Sequence, residues 1–362
     1  MGRGALIAMS GGVDSSAAAC LAVAEGYACV GATMRLFLNG DVGLSPSRPC
    51  CSQRDIDDAA SVSALLGIPH EVLNCMVDFK LRVIDKFIRT YELGGTPNPC
   101  IDCNRYLKFE GLLSAARERG LDFIVTGHYA RIERAASGRF LLKKAADSER
   151  DQSYVLYMLT QEQLAHTLFP LGGMTKAEVR ALAEARGFVN AHKRDSQDIC
   201  FVPDGDYAAF IERTTGRPSP PGDFVSPEGR VLGRHKGIIH YTIGQRRGLG
   251  VAGGARLYVS AIDPAANTVT LCGEQGLFVR SVTAKDVNFI SVPALDGPAR
   301  VTAKVRYRQR EVLATAAPVE GGKLRVMFDE PQRAPAIGQA VVLYDGDAVV
   351  AGGTIEGWDR GG

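Results

Sequence analysis

No stretch of this 362-residue chain comes near the roughly 20 consecutive apolar residues that span a bilayer, so no membrane segment is expected. No secretory leader is expected either, because Arg3 is followed by only a strand's length of apolar residues, Ala5 to Met9. A cytoplasmic protein is expected. There is no strong charge of either sign: 42 Lys and Arg stand against 40 Asp and Glu, a formal net charge of +2. Any nucleic acid must therefore be met by local basic patches and not by a global field. The nine cysteines are odd in number and irregularly spaced, which argues against a secreted disulfide framework and for thiols kept reduced or used chemically. Internal repeats and low-complexity tracts are absent. What remains is ordinary for a globular protein, 46% hydrophobic and 23% charged. The length exceeds one comfortable hydrophobic core, so two or three domains are expected.

The apolar run Ala5-Leu6-Ile7-Ala8-Met9 breaks straight into Ser10-Gly11-Gly12-Val13-Asp14-Ser15-Ser16, followed by an alanine-rich amphipathic stretch to Glu25. A strand ending in so short a loop at a helix N-terminus is an anion trap. Paired glycines let backbone N–H groups turn inward, the serines add donors, and the helix dipole favours negative charge there. The natural occupant is a phosphate or pyrophosphate. No Lys follows the glycines, which excludes the G-x-x-x-x-G-K-[ST] loop of phosphoryl-transfer ATPases. The pattern S-G-G-x-D-S instead resembles the PP-loop of enzymes that split ATP between its α and β phosphates and adenylate an acceptor. A plain glycine turn would leave three serines, an Asp and two glycines gathered at the end of a first strand without a reason.

From Ala5 to about Cys200 strand and helix patterns alternate, the mark of a mostly parallel sheet with helices on both faces. Strands are predicted at 5–9, 28–34, 70–73 and 123–126, and helices at 15–25, 56–66, 79–91, 107–119, 161–169 and 176–186. A hairpin around Gly138 joins 130–133 to 139–143. Composition shifts at Arg217–Gly222, R-P-S-P-P-G, and glycines become frequent from Gly229 to Gly254. From about Leu277 short β-type runs alternate with Asp-Gly, Gly-Gly and Pro-Gln turns, including 300–307, 313–318, 324–328, 340–344 and 349–356. The expected fold is α/β: a doubly wound, mostly parallel PP-loop domain over 1–202, a small central domain over 203–276, and a C-terminal antiparallel β-barrel over 277–362.

Asn98-Pro99-Cys100-Ile101-Asp102-Cys103-Asn104 is a C-x-x-C in a proline-fixed loop just before a predicted helix. A helix N-terminus lowers a thiol pKa, so Cys103 is expected to be a thiolate near neutral pH. Cys200 ends a second polar loop, Asp195 to Cys200. Three thiols in two loops could serve as metal ligands, as a sulfur relay, or as nothing chemical. Cys20, Cys29, Cys75 and Cys272 sit within apolar patterns and read as core filler. Cys50-Cys51 could join Cys100 and Cys103 around zinc, although adjacent cysteines rarely present both sulfurs tetrahedrally. A thioredoxin-like redox couple would leave the nucleotide loop unexplained.

Several motifs in order make the chain similar to the bacterial tRNA-specific 2-thiouridylases nearly end to end. They are the SGGVDSS loop, Cys50-Cys51-Ser52, Thr96–Asn104 with Lys108-Phe109, Thr126–Arg131, Asp151–Tyr154, Phe169–Gly172, Asp195–Phe201 and Tyr241–Leu249. The resemblance implies ATP-dependent sulfur transfer to C2 of the wobble uridine of glutamate, glutamine and lysine tRNAs. Adenylation turns the C2 oxygen into AMP, which a sulfur nucleophile displaces. It implies ATP contacts at Ala8, Met9, Ser10, Gly11, Gly12, Val13, Asp14 and Ser15, with Met34 and Gly127. Cys103 matches the catalytic nucleophile, and Cys200 the cysteine that accepts a persulfide sulfur from a relay protein or cysteine desulfurase. Asn98, Pro99 and Cys100 match the segment at the target base. His128, Arg150, Asp151 and Gln152 match contacts to the tRNA anticodon stem-loop, as do Arg306, Tyr307 and Gln339. Asp14 suits Mg²⁺ as a hard carboxylate, and suits the first turn of a helix equally well.

One departure matters: many relatives carry Asp where this chain has Cys100. Cys100, Cys103 and Cys200 then resemble the subgroup thought to hold a four-iron, four-sulfur cluster, with one iron left free to present sulfide to the base. Persulfide and cluster routes thus compete, and the three thiols favour the cluster. On the tRNA side, Lys304, Arg306, Arg308 and Arg310 recur at every second residue, which in a strand puts all four on one face. Arg234, Lys236, Arg246 and Arg247 form a second basic cluster, and the two patches could grip a stem whose flipped base reaches the Cys loop. An ATP-dependent amide ligase would need neither Cys103 nor Cys200. An RNA-binding module with a degenerate nucleotide loop is opposed by the intact Ser10–Ser16.

Overall fold

The computed structural model describes residues 3–38, 53–193, 199–251 and 256–361. The chain divides into two compact units: Met1–Ile84 with Pro99–Gly205 and Asp347–Val349, and Asp85–Asn98 with Asp206–Gly346 and Val350–Gly362.

In chain order the first unit contains β1 (Gly4–Ala8), β2 (Ala28–Arg35), β3 (His70–Asn74), β4 (Phe123–Val125), β5 (Ala130–Arg134), β6 (Phe140–Lys144) and β7 (Thr167–Leu168). Five of these form a parallel sheet in the order β3-β2-β1-β4-β7. β1 is central and its residues Ala5, Leu6 and Ile7 have no exposed surface, as a strand covered on both faces requires. The helix Val13–Ala24 lies on it through Ala17, Ala18, Ala19 and Ala22. Strand order reverses between β1 and β4, so the loops leaving their carboxyl ends flank the crevice where such sheets bind ligands.

Two changes of boundary alter the elements of this unit. The helix expected over 161–169 stops at Ala165, and Thr167–Leu168 pairs parallel to β4 as a fifth strand. Pro170 steers Phe169 away from helical backbone, and Thr167 is β-branched, so the segment extends. The helix expected from Leu107 begins at Pro99 and runs unbroken through 99–118, with a π-helical stretch at Cys103–Gly111. Pro is well suited to a first helical position.

The second unit holds a small sheet of β8 (Gly222–Val225), β9 (Val231–His235), β10 (Tyr258–Asp263) and β11 (Thr268–Cys272), ordered β10-β11-β8-β9. After it come β12 (Phe278–Phe289), β13 (Ala299–Lys304), β14 (Val312–Val319), β15 (Lys323–Arg333), β16 (Ala340–Asp345) and β17 (Ala348–Asp359). These six close into an antiparallel barrel through the pairing of β12 with β17. Alternation sets the faces: in β15, Leu324, Val326 and Phe328 are buried while Arg325 and Met327 are exposed. The strand expected over 300–307 ends at Lys304, and 305–311 are turn and coil. Arg306, Arg308 and Arg310 therefore do not share a strand face with Lys304.

Candidate active site

The helix Val13–Ala24 starts without a side-chain cap: Gly12 is its N-cap residue and has no side chain to offer. Two later helices in the same unit carry complete capping boxes, Thr160 with Gln163 and Thr175 with Glu178. The first N–H groups of Val13–Ala24 are thus left for a ligand. The serines shape the loop. The Ser15 hydroxyl donates to the Gly12 carbonyl at 2.9 Å and accepts the Ser10 N–H at 3.2 Å, and the Ser16 hydroxyl donates to Gly12 at 3.1 Å. Gly11 has φ of +71°, and a Cβ there would stand 2.4 Å from the Asp55 carbonyl oxygen. A Cβ on Gly127 would lie 2.7 Å from the Asp14 carbonyl carbon, so the turn after β4 presses directly on the loop. Met9 and Val13 are buried, Ala8 is half-buried at the end of β1, and Met34 lies near the end of the adjacent β2.

The structure adds residues that the sequence reading missed. Lys176 places its ammonium 2.8 Å from both carboxylate oxygens of Asp14, and the Tyr129 hydroxyl donates to Asp14 Oδ1 at 2.8 Å. The Asn190 amide donates to the Gly11 carbonyl at 3.1 Å and to Ser16 Oγ at 2.9 Å. Lys193 donates to the Gly11 carbonyl at 3.0 Å and to Asp55 and Asp58 at 2.5 and 2.7 Å. Burial pulls the Lys193 pKa down, but its bonds to the two carboxylates carry it above the usual lysine value. No local pattern marks these residues, although Thr175-Lys176-Ala177-Glu178 is a legible capping box. Asp14, offered as a Mg²⁺ ligand, has both oxygens hydrogen-bonded to protein donors in this structure.

Around the thiols two expectations are corrected. Cys103 is not at a helix N-terminus: Pro99 and Cys100 occupy the first turn, and the dipole fades beyond it. Desolvation pushes the Cys103 thiol up to about 11, the neighbouring Cys100, Cys75 and Asp102 adding to the rise and Lys108 opposing it. It is a protonated thiol at neutral pH. Cys75 is not core filler. It is half-buried, precedes the short helix Met76–Phe79, and lines a cleft of about 220 Å³ with Tyr106 and Leu107. Cys20, Cys29 and Cys272 are buried as expected.

Cys200 is half-buried, and the next residue, Phe201, packs edge-on against Phe79 with ring centroids 5.7 Å apart. Met76–Phe79 also packs against the helical stretch that begins at Cys103. Phe201 and the helical stretch 103–111 thus both pack against one short helix. Among the described residues, no three His, Cys, Asp or Glu side chains are grouped so as to hold a metal ion. Cys50 and Cys51 lie outside the described residues, and with them the zinc alternative.

The expected tRNA residues fall into two groups. In the first unit His128 is buried between Phe109 and Phe169, with Nδ1 2.8 Å from Thr126 Oγ1. Burial, aided by Lys108, holds its pKa well below the ordinary value, so the ring is neutral. Asp151 accepts from the Ala145 and Ser153 N–H groups and from the Ser153 hydroxyl. Gln152 accepts from the Tyr129 N–H at 2.9 Å, and Arg150 is exposed. Pro99 is buried and Cys100 exposed at the start of the helical run.

In the second unit the Gln339 amide donates to the carbonyls of Thr96 and Pro97 at 3.1 and 3.3 Å, fastening the chain just before the half-buried Asn98. Arg306 donates to the Ala334 carbonyl, Tyr307 is half-buried, and Arg308 and Arg310 are exposed. Of the other basic cluster, Arg234 pairs with Asp223 at 2.8 Å, while Lys236, Arg246 and Arg247 are exposed.

Residues 4–204 match the family model described as a tRNA methyl transferase HUP domain, 208–273 a tRNA methyl transferase PRC-barrel domain, and 279–355 an aminomethyltransferase beta-barrel domain. The tRNA-specific 2-thiouridylase of Acetivibrio thermocellus is 50% identical over 97% of this chain and 98% of its own length. That of Clostridioides difficile is 48% identical over 98% and 99%. Among solved structures, a 4-thiouridine synthetase in complex with RNA and ATP matches 59% of this chain and 50% of its own, at 18% identity and a TM-score of 0.35. That likeness is too low to build on. The full-length sequence relationship is not, and the chain belongs to the tRNA-specific 2-thiouridylase family.

Proposed function

We propose that the protein is a tRNA-uridine 2-sulfurtransferase, acting in the cytoplasm on the wobble uridine of glutamate, glutamine and lysine tRNAs. The observation that carries this reading is the uncapped, serine-lined helix start of Ser10–Ser16, in the same compact unit as Cys103 and Cys200. ATP, entering as its magnesium complex, lays its phosphates along that loop. The uridine C2 oxygen attacks the α-phosphorus and pyrophosphate leaves, making AMP the leaving group at C2. The outer sulfur of a persulfide on Cys200, charged by a relay protein or cysteine desulfurase, attacks C2 and expels AMP. Cys103 then attacks the Cys200 sulfur, and its proton passes to the departing nucleobase. The S–S bond to the nucleobase breaks, 2-thiouridine is released, and a Cys103–Cys200 disulfide remains for an external thiol to reduce.

The high thiol pKa of Cys103 suits this order, because a nucleophile held protonated does not discharge the persulfide before the base is activated. A sulfide-on-cluster route would instead use Cys100, Cys103 and Cys200 as its three thiolate ligands. The basic residues Arg308, Arg310, Arg246 and Arg247 supply phosphate contacts for the tRNA. The test is Cys200→Ser assayed with tRNA, ATP and a persulfide donor. The expected result is loss of 2-thiouridine with tRNA-dependent pyrophosphate release retained. Undiminished thiolation would remove Cys200 from the reaction, and pyrophosphate release independent of tRNA would favour a small-molecule ligase.

A further inference from the structure

The nucleotide loop lacks the lysine that phosphoryl-transfer loops carry behind their glycines, and it places an acid, Asp14, in the first turn of the helix whose N-terminus faces the ligand. An unpaired carboxylate there would oppose the field that attracts phosphate. The chain answers from 162 residues away: the Lys176 ammonium sits 2.8 Å from both Asp14 oxygens. Lys176 is 9% exposed, its backbone N–H is held by Asp147 at 3.1 Å, and the Thr175–Glu178 capping box fixes the turn that presents it. The Tyr129 hydroxyl, on the strand side, donates to Asp14 Oδ1 and fixes the carboxylate from another direction.

We propose that Lys176 is a positioning residue for ATP: it neutralises Asp14, so that the helix start stays electropositive and the loop accepts a triphosphate. Tyr129 keeps the pair in register. The inference rests on reading Ser10–Ser16 as the ATP site and goes beyond it by assigning the cation that makes the site work. It also separates two roles for Asp14, since a carboxylate that ligates Mg²⁺ could not be replaced, whereas a carboxylate that merely needs neutralising could be.

The experiment measures ATP affinity calorimetrically on the full-length protein, with magnesium and without tRNA, for the parent, Lys176→Met, and the double variant Asp14→Asn/Lys176→Met. The single change strands a carboxylate beside the phosphates and weakens ATP by about tenfold or more, the scale of one close charge–charge interaction. The double change removes both charges at similar shape, a replacement that proteins tolerate, and returns the affinity to within about threefold of the parent. The double variant decides the matter even where the single one fails to accumulate. Near-parental affinity supports the inference, and a loss as large as the expected loss of the single variant overturns it in favour of Asp14 as a direct ligand. Unchanged affinity in Lys176→Met overturns it as well. A parent protein that binds no ATP refutes instead the assignment of Ser10–Ser16 as the ATP site.

Discussion

At the scale of single residues, the proton on Cys103 is set by its neighbours and not by its motif. Burial and three nearby acidic or thiol groups hold it to about 11, and Lys108 is the group pulling the other way. The rate of Cys103 alkylation, followed by site-resolved mass spectrometry, is therefore expected to rise with pH around a midpoint near 11. Lys108→Met should move that midpoint higher and slow the reaction at pH 9. An unchanged profile would remove Lys108 from the account. The sign for stability follows: between the unfolded thiol pKa, ~8.5, and about 11 the folded protein retains a proton that the unfolded chain releases, so this contribution falls as pH rises through that window. C-x-x-C was legible as a chemical motif. The depth of its sulfur was not, because it depends on Cys75 and Asp102 and on where the helix begins.

At the scale of elements, β1 and the loop after it were readable to within two residues, because GALIA and SGGVDSS carry both hydrophobic continuity and turn chemistry in one short window. The approach of β4's outgoing turn was not, since it depends on the missing side chain of Gly127. Gly127→Ala should force the two loops apart, costing ~1–3 kcal/mol of stability and weakening ATP binding. Gly173→Ala serves as the comparison, because a Cβ there meets nothing within 4 Å. Thermal unfolding and ATP titration of the two variants check this, and equal behaviour would mean that the contact does not shape the site. The stripe of alternating Lys and Arg after residue 303 failed for the opposite reason. Period two reads as a strand, yet the strand ends at Lys304, and the Arg306 guanidinium is used on the Ala334 carbonyl. Alternation marks a strand only where the intervening residues have a core to enter.

At the scale of the whole molecule, what escaped the sequence is pairing over long separations. Lys176, Asn190 and Lys193 converge on a loop at residues 11–16, and Asp85–Asn98 groups with residues after 206 instead of with its chain neighbours. A linear reading cuts a chain at points such as 202 and 276 and has no means of lending a segment from one part to another. Yet the order of reactions asks for such lending, because a loop at the start of the chain must activate a base for thiols at positions 103 and 200. A single-turnover experiment tests that demand most directly: protein carrying one persulfide on Cys200 is mixed with ATP and unmodified tRNA, and the products are quantified by mass spectrometry. The account predicts equal amounts of 2-thiouridine, AMP, pyrophosphate and Cys103–Cys200 disulfide. Thiolated tRNA accompanied by ADP, or formed with both cysteines still free, would contradict it.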